Sequence, residues 1–219
     1  MADDYLSDRE QEEALRLWWR ENWPWIIGGI VLGLALLAGW QYWKTHRAQQ
    51  AEQAFELYRE YQNAGEDPNK AVSAFDRLNA EYATSPYTMQ ARLLQAKKHV
   101  DAAEYDEAVQ HLQAVIDRAQ DAELVHIARL RLSRVFIQQG KYDEAVGLLN
   151  PDTAGAFAAQ MREIRGDALF ERGDRDAARA EYAAALAANA DAQVDRSMLE
   201  MKLQQTGGEL PAAGFQGQP

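Results

Sequence analysis

Histidines are the side chains best suited to metal binding or proton transfer near neutral pH. The chain has four of them, at positions His46, His99, His111 and His126. No two of them show the H-E-x-x-H spacing that brings a pair of imidazoles onto one helix face. We therefore expect packing or surface roles for His99 and His126, which fall on predicted first helices, and we predict no metal site.

Other catalytic patterns are also missing from the sequence. The acidic pairs Asp106–Glu107 and Asp143–Glu144 stand at predicted helix starts, where the helix dipole favours negative charge. Cysteine is absent, which excludes thiolate chemistry and disulfides. No G-x-S-x-G, phosphate-binding loop or G-x-G-x-x-G run is present. The sequence predicts a protein that is not an enzyme and needs no cofactor.

The elements that would position any binding residues begin with an apolar stretch, Asn22 to Trp43. This stretch holds no charged residue, although charged residues make up 26% of the chain. A bilayer core of about 30 Å needs roughly 20 apolar residues in a helix. Trp23 and Trp43 flank the run, as aromatic rings do at membrane interfaces. Residues 22–43 are therefore predicted to form one transmembrane helix, an uncleaved signal anchor.

The segment before the anchor, residues 1–21, is acidic, and Ser7 and Glu10 have the spacing of a helix capping box. A helix from about Leu6 to Glu21 would either lie on the membrane surface or form a solvated lead-in. Basic residues balance on the two sides of the anchor, with three shortly before it and three shortly after it. Charge alone leaves the orientation undecided.

After the anchor, residues 44–205 favour helix throughout, with no strand alternation. Four segments share a turn followed by a helix that opens with a small residue, at Ala71, Ala108, Ala145 and Ala178. An apolar or aromatic residue follows each alanine four positions later, at Phe75, Leu112, Leu149 and Tyr182. The spacing resembles the tetratricopeptide repeat, a helical hairpin of about 34 residues. We predict an all-α chain in which a single transmembrane helix precedes a tetratricopeptide-repeat-like α-solenoid, with residues 206–219 forming a disordered tail.

A wider resemblance covers about residues 5 to 205. The features that carry it are an acidic tail, an anchor ending GWQYW at 39–43, the runs LRLSRV at 130–135 and RGDALF at 165–170, a Gly173–Asp174 turn, and MLEMKL at 198–203. In this order they resemble the YfgM family, ancillary subunits of the bacterial SecYEG translocon.

The resemblance implies an inner-membrane protein with a cytoplasmic N-terminus and a periplasmic repeat domain. It also implies association with SecYEG and with a PpiD-like membrane chaperone, and a role in handing exported chains to periplasmic chaperones. The family has no established catalytic residues. The net charge of −11 independently argues against nucleic acid as a partner.

In such arrays the first helix of each hairpin lines the inner face. The positions predicted to face inward are apolar in one set, Phe55, Leu93, Leu130, Ile137 and Phe170. A basic set stands beside them at Arg59, Lys97 and Arg134, with Asp167 at the equivalent place in the fourth repeat. Apolar side chains beside a basic track suit an extended, unfolded polypeptide. Packing of the inward residues into the core is the alternative.

The sequence leaves two functions open. One is a tethered module that holds exported chains, and the other is a structural scaffold that binds one fixed folded partner. Within the anchor, Gly29 and Gly33 have the spacing that lets membrane helices pack closely, although such pairs also occur by chance.

Overall fold

The computed structural model describes residues 8–64, 67–188 and 194–208, and of residues 8–11 it describes the backbone alone. Within these ranges the chain is helical, without a strand. The α-helices are α1 (Asp8–Asn63), α2 (Pro68–Glu81), α3 (Pro86–Asp101), α4 (Tyr105–Arg118), α5 (Ala122–Gln138), α6 (Tyr142–Gly147), α7 (Ala158–Glu171), α8 (Arg175–Ala188) and α9 (Arg196–Gln205). Two 3-10 turns, Pro151–Thr153 and Gly155–Phe157, join α6 to α7. The predicted all-α fold, one apolar helix followed by a tetratricopeptide-repeat-like solenoid, is confirmed.

The chain divides into two compact units between Gln53 and Ala54. In the first unit α1 is long and apolar enough to cross a membrane, and none of its most apolar window is buried within the protein. Trp25, for example, is 82% exposed. Exposed apolar surface costs about 25 cal/mol per Å² in water, so this helix suits a bilayer. The predicted N-terminal helix is the first part of α1, which continues through Pro24, while residues 6 and 7 lie outside the described ranges.

The second unit is a row of helical hairpins whose helix starts are set by local sequence. Side-chain oxygens of Asp67, Ser85, Asp121 and Asp195 accept hydrogen bonds from backbone N–H groups of the first turns of α2, α3, α5 and α9. Such caps satisfy donors that have no partner within the helix. The caps therefore divide the uniformly helix-favouring sequence into separate helices.

The second helices carry the repeat alanines, each three residues after the start of its helix. Ala108, Ala145 and Ala178 are fully buried, and Ala71 is partly buried. The residues four positions later are buried in three of the repeats, at Leu112, Leu149 and Tyr182, and partly buried at Phe75. In the third repeat α6 ends at Gly147, so Leu149 follows the helix rather than lying within it.

Three hairpins close through the same turn, with Ala103, Gly140 and Gly173 at φ of 59°, 73° and 92°. In each turn the next backbone N–H donates to a carbonyl near the end of the preceding helix, as from Glu104 to His99 at 2.8 Å. Positive φ favours glycine because a β-carbon crowds the backbone there. Ala103 is the only non-glycine residue with positive φ in the described ranges.

The apolar core follows the order of the hairpins along the chain. Residues 54–61 of α1 pack with α2 and α3 through Ala54, Leu57, Tyr61, Ala74, Leu78 and Ala91. At the other end α9 covers α8 with Leu199 and Leu203. The predicted closing helix, residues 191–204, is observed as Arg196–Gln205, and residues 189–193 lie outside the described ranges. Of the predicted disordered tail, residues 209–219 also lie outside them.

Candidate binding groove

A groove of about 1060 Å³ lies in the second unit. Its walls come from α3, α5 and α7, the first helices of three successive hairpins, and from α9. The second helices contribute Tyr105, Leu112 and Tyr182. Because the hairpins stack side by side, equivalent positions of the three first helices form rows across the groove.

One row is apolar and consists of Val100, Ile137 and Phe170. Each is the second-last residue of its helix, and each lies eight positions before a repeat alanine. Val100 is 36% exposed, and the other two are half-buried. This apolar row offers a surface for hydrophobic side chains of a ligand.

The second row lies one helical turn earlier and is charged, at Lys97, Arg134 and Asp167. Residues three positions apart lie on the same helix face, so this charged row runs beside the apolar row. Both ends of this row have an ion-pair partner within the protein. Lys97 forms an ion pair with Asp101 at 2.6 Å, and Asp167 accepts a hydrogen bond from Lys202 of α9.

The middle of the charged row is different. Arg134 lines the groove together with Arg131, three positions earlier on the same helix. Both side chains are exposed, and neither has a carboxylate within 4 Å among the described residues. Partial burial of the guanidinium, followed by repulsion from Arg134, lowers the pKa of Arg131. Two arginines therefore line the groove without an ion-pair partner in the described parts of the chain.

At the α9 end, Lys202 holds a cluster of polar groups together. Its ammonium lies 2.7 Å from Glu163 and 2.8 Å from Asp167. Burial opposes its charge, but the hydrogen bonds to Asp167 and Glu163 outweigh burial and raise the pKa of Lys202. The Tyr182 hydroxyl donates to Asp167 at 2.9 Å, and burial followed by the nearby Asp167 carboxylate raises the Tyr182 pKa. Both groups keep their protons at neutral pH, so the cluster is a structural clamp between α7, α8 and α9.

The structure brings four of the eight predicted groove residues together. They are Lys97, Arg134, Ile137 and Phe170, which all line the groove. Asp167, predicted at the end of the basic track, lines it as well. The shared register of α3, α5 and α7 accounts for this grouping.

The other four predicted residues lie elsewhere. Leu93 and Leu130 are core residues, only 6% and 4% exposed, as the packing alternative described. Phe55 is 39% exposed and its ring packs on Tyr87 at 5.2 Å between centroids. Arg59 forms an ion pair with Glu56 of its own helix at 3.3 Å.

Among the groove residues that sequence reasoning missed are Val100, Arg131 and Lys202. Val100 could have been found from repeat spacing, because it is the equivalent of Ile137 and Phe170 in the preceding repeat. Arg131 could have been found from helix spacing, since it stands three positions before Arg134. Lys202 carried no such signal, because its place depends on how α9 docks.

The four histidines occupy packing and surface positions in the described parts of the chain. His111 stacks on His99 at 5.3 Å between ring centroids and meets Phe75 edge-on. Burial, with smaller contributions from His99 and Arg92, lowers the pKa of His111 to about 4. His126 packs near Phe157 at 5.4 Å. His46 stacks on Tyr42 in α1.

Gly29 and Gly33, the residues of the predicted membrane-helix contact, lie on an open surface of α1. A β-carbon added to either glycine meets no described atom within 4 Å. The close-packing interpretation of these two glycines stays a prediction.

A family model described as a tetratricopeptide repeat-like domain matches residues 16–208. The chain therefore belongs to the tetratricopeptide repeat-like family. The predicted resemblance to the ancillary SecYEG translocon subunits is also confirmed.

Several relatives carry the name ancillary SecYEG translocon subunit. The chain is 33% identical over 204 residues to the one from Haemophilus influenzae, covering 91% of this chain and 98% of that protein. It is 29% identical to the one from Escherichia coli strain K12, covering 91% and 96%. The relative from Neisseria gonorrhoeae is 26% identical, with 91% and 97% covered. No solved structure matches the chain significantly.

Proposed function

We propose that this chain is a membrane-anchored, non-catalytic binding module that associates with the SecYEG translocon. Support comes from relatives that carry the translocon-subunit name and match over nearly their whole length. One apolar helix at the N-terminus suits a single-pass inner-membrane protein. In this proposal residues 1–21 are cytoplasmic and residues 44–205 form the periplasmic domain.

The module holds extended segments of exported polypeptides in its groove and assists their hand-over to periplasmic chaperones. The observation that carries this role is the pairing of the apolar row with the charged row on the same wall of the groove. An unfolded chain presents alternating apolar and polar side chains and exposed backbone, so it suits such a mixed surface better than a rigid apolar ligand does. A PpiD-like membrane chaperone is the expected neighbour in the membrane.

Photo-crosslinking from the groove tests the client-binding role. A photoreactive amino acid at Ile137 or at Phe170 of the full-length protein should crosslink many different exported chains during translocation. Val72, which is 54% exposed on α2 and does not line the groove, provides the control position. Crosslinks from the two groove positions to one constant folded partner would support the scaffold alternative instead. If crosslinking from the two groove positions does not exceed the Val72 background, both roles for the groove are contradicted.

The orientation has its own test. Alkaline phosphatase folds only outside the cytoplasm because it needs disulfides. A fusion of the enzyme to the C-terminus of the full chain should be active, and a fusion to the N-terminus should be inactive. The opposite pattern would contradict the proposed periplasmic location.

A further inference from the structure

The middle of the charged row has a deficit of negative charge. Lys97 and Asp167, at its two ends, are paired with Asp101 and Lys202. Arg134 lies between them in the row, and Arg131 lies three positions before Arg134 on the same helix. Neither arginine has a carboxylate within 4 Å in the described ranges. The protein carries 34 acidic side chains against 23 basic ones, so a partner would be easy to provide. Leaving two adjacent guanidinium groups unpaired therefore points to a negative group that comes from outside the chain.

The chemistry of that negative group follows from the side chains. Guanidinium groups bind carboxylates with two parallel hydrogen bonds, and such charge-assisted bonds are about twice as strong as neutral ones. The mutual repulsion of Arg131 and Arg134 would be relieved by a carboxylate between them. Ile137 lies three positions after Arg134 on the same helix, which places an apolar contact one turn away.

Glu171 limits how acidic the ligand can be. This exposed carboxylate lines the groove next to Phe170 at the α7 end, and it has no basic partner within 4 Å among the described residues. A run of acidic side chains along the groove would bring one of them towards Glu171, and like charges repel. A single carboxylate in the middle of the groove avoids this repulsion.

We propose that the groove selects extended polypeptide segments in which one Asp or Glu side chain is held by Arg131 and Arg134 while a neighbouring apolar side chain packs on Ile137 and Phe170. This selectivity rests on the proposed function, because it assumes that the groove receives exported chains. The carboxylate is an internal side chain rather than a chain terminus, because a polypeptide still crossing the membrane has not yet released its C-terminus.

The dimensions of the groove set the length of a suitable probe. Packed helices lie about 10 Å apart, so α3, α5 and α7 together span about 20 Å, which about seven extended residues cover. The probe is a fluorescent peptide of about eight residues, blocked at both ends, with a central Glu flanked by Leu and Phe. A second peptide has Gln in place of Glu. A third has the central Gln and a free C-terminal carboxylate.

Fluorescence anisotropy with the full-length protein in lipid nanodiscs measures the affinities. The wild-type protein should bind the Glu peptide about tenfold more tightly than the Gln peptide, as one charge-assisted contact provides. The double variant Arg131→Gln/Arg134→Gln should bind both peptides with the affinity that the wild type shows for the Gln peptide. The control Arg118→Gln/Arg129→Gln removes the same charge from residues outside the groove and should keep the preference. Circular dichroism checks that both double variants stay folded.

The other outcomes distinguish the two proposals. Equal affinity of the wild type for the Glu and Gln peptides would overturn the selectivity and leave the binding role in place. A Glu preference that survives in Arg131→Gln/Arg134→Gln would overturn the role of the two arginines. Tight binding of the third peptide would assign the site to a chain terminus instead. Failure of the wild type to bind any peptide would overturn the proposed client-binding function as well.

Discussion

A β-carbon added to Gly166 of α7 would lie 2.5 Å from Cε1 of Tyr182 in α8. The tyrosine ring therefore occupies the space that a side chain at position 166 would need. The ring is only 2% exposed, and its hydroxyl donates to Asp167, the residue after Gly166. Tyr182 is thus held at its ring edge and at its hydroxyl by two consecutive residues of α7.

Replacing Gly166 by Ala should destabilise the protein by about 1–2 kcal/mol. Overpacking a filled core costs about 1–3 kcal/mol, and the better helix propensity of Ala offsets about 1 kcal/mol of that cost. Thermal unfolding followed by circular dichroism measures the change. Gly147→Ala is the matched control, because a β-carbon there meets no described atom within 4 Å. The control should be neutral or slightly stabilising, and equal losses in both variants would contradict the close contact.

Replacing Ala103 by Gly should stabilise the protein by about 0.5–1 kcal/mol. Ala103 has a φ of 59°, and the equivalent residues of the next two turns are Gly140 and Gly173. A β-carbon costs roughly 1 kcal/mol in this left-handed region, which exceeds the entropy that glycine adds to the unfolded chain. The reverse change, Gly140→Ala, should destabilise by a similar amount. Urea midpoints that move in the same direction for both variants would contradict this account.

Stability should fall in mild acid because of His111. Burial lowers its pKa to about 4 in the folded protein, whereas the ordinary value is 6.5. The unfolded chain therefore binds the proton first as the pH falls through 6.5. The stabilisation is complete above pH 6.5 and is lost towards pH 4.

The variant His111→Gln isolates this effect. Between pH 7 and pH 5 the wild type should lose about 1–2 kcal/mol more of its unfolding free energy than the variant does. Between pH 7 and pH 8.5 the two curves should run parallel. Wild-type and variant curves that stay parallel down to pH 5 would show that His111 is protonated as easily in the folded protein as in the unfolded one.

The membrane-helix prediction is tested by replacing Gly29 and Gly33 together with Leu. Insertion should stay intact because the anchor becomes more hydrophobic, while co-purification with SecYEG in mild detergent should decrease because the helices can no longer approach closely. Gly28→Leu, at another glycine with open space around it, is the control. Unchanged recovery of SecYEG and of the PpiD-like chaperone with the double variant would make the anchor a simple tether.

The sequence predicted the fold well because the fold depends on local signals. Repeat spacing identified Ala108, Ala145 and Ala178, and all three are buried at the start of second helices. Caps and turn residues are equally local: Ser85 caps the start of α3, and Gly140 adopts the positive φ of the turn between α5 and α6.

The groove could be predicted only in part, because burial depends on neighbouring helices. Leu130 and Ile137 both belong to α5 and both were predicted to face inward, yet Leu130 packs in the core and Ile137 lines the groove. Their sequence patterns do not distinguish the two cases. The Lys97–Asp101 ion pair joins residues four positions apart on α3, so helix spacing could have indicated it. Whether Arg134 meets a carboxylate from another helix is tertiary information, which the sequence could not supply.

The Lys202 clamp makes the last helix part of the groove itself. Lys202 and Gln205 line the groove, and Leu199 and Leu203 hold α9 against α8. A ligand that contacts α9 in the groove would therefore bind only those protein molecules in which α9 is packed against α8. By thermodynamic linkage, an occupied groove would raise the free energy of opening α9, and its amide hydrogens would exchange more slowly with solvent. Release of a ligand and fraying of the C-terminal helix thus become two aspects of one equilibrium.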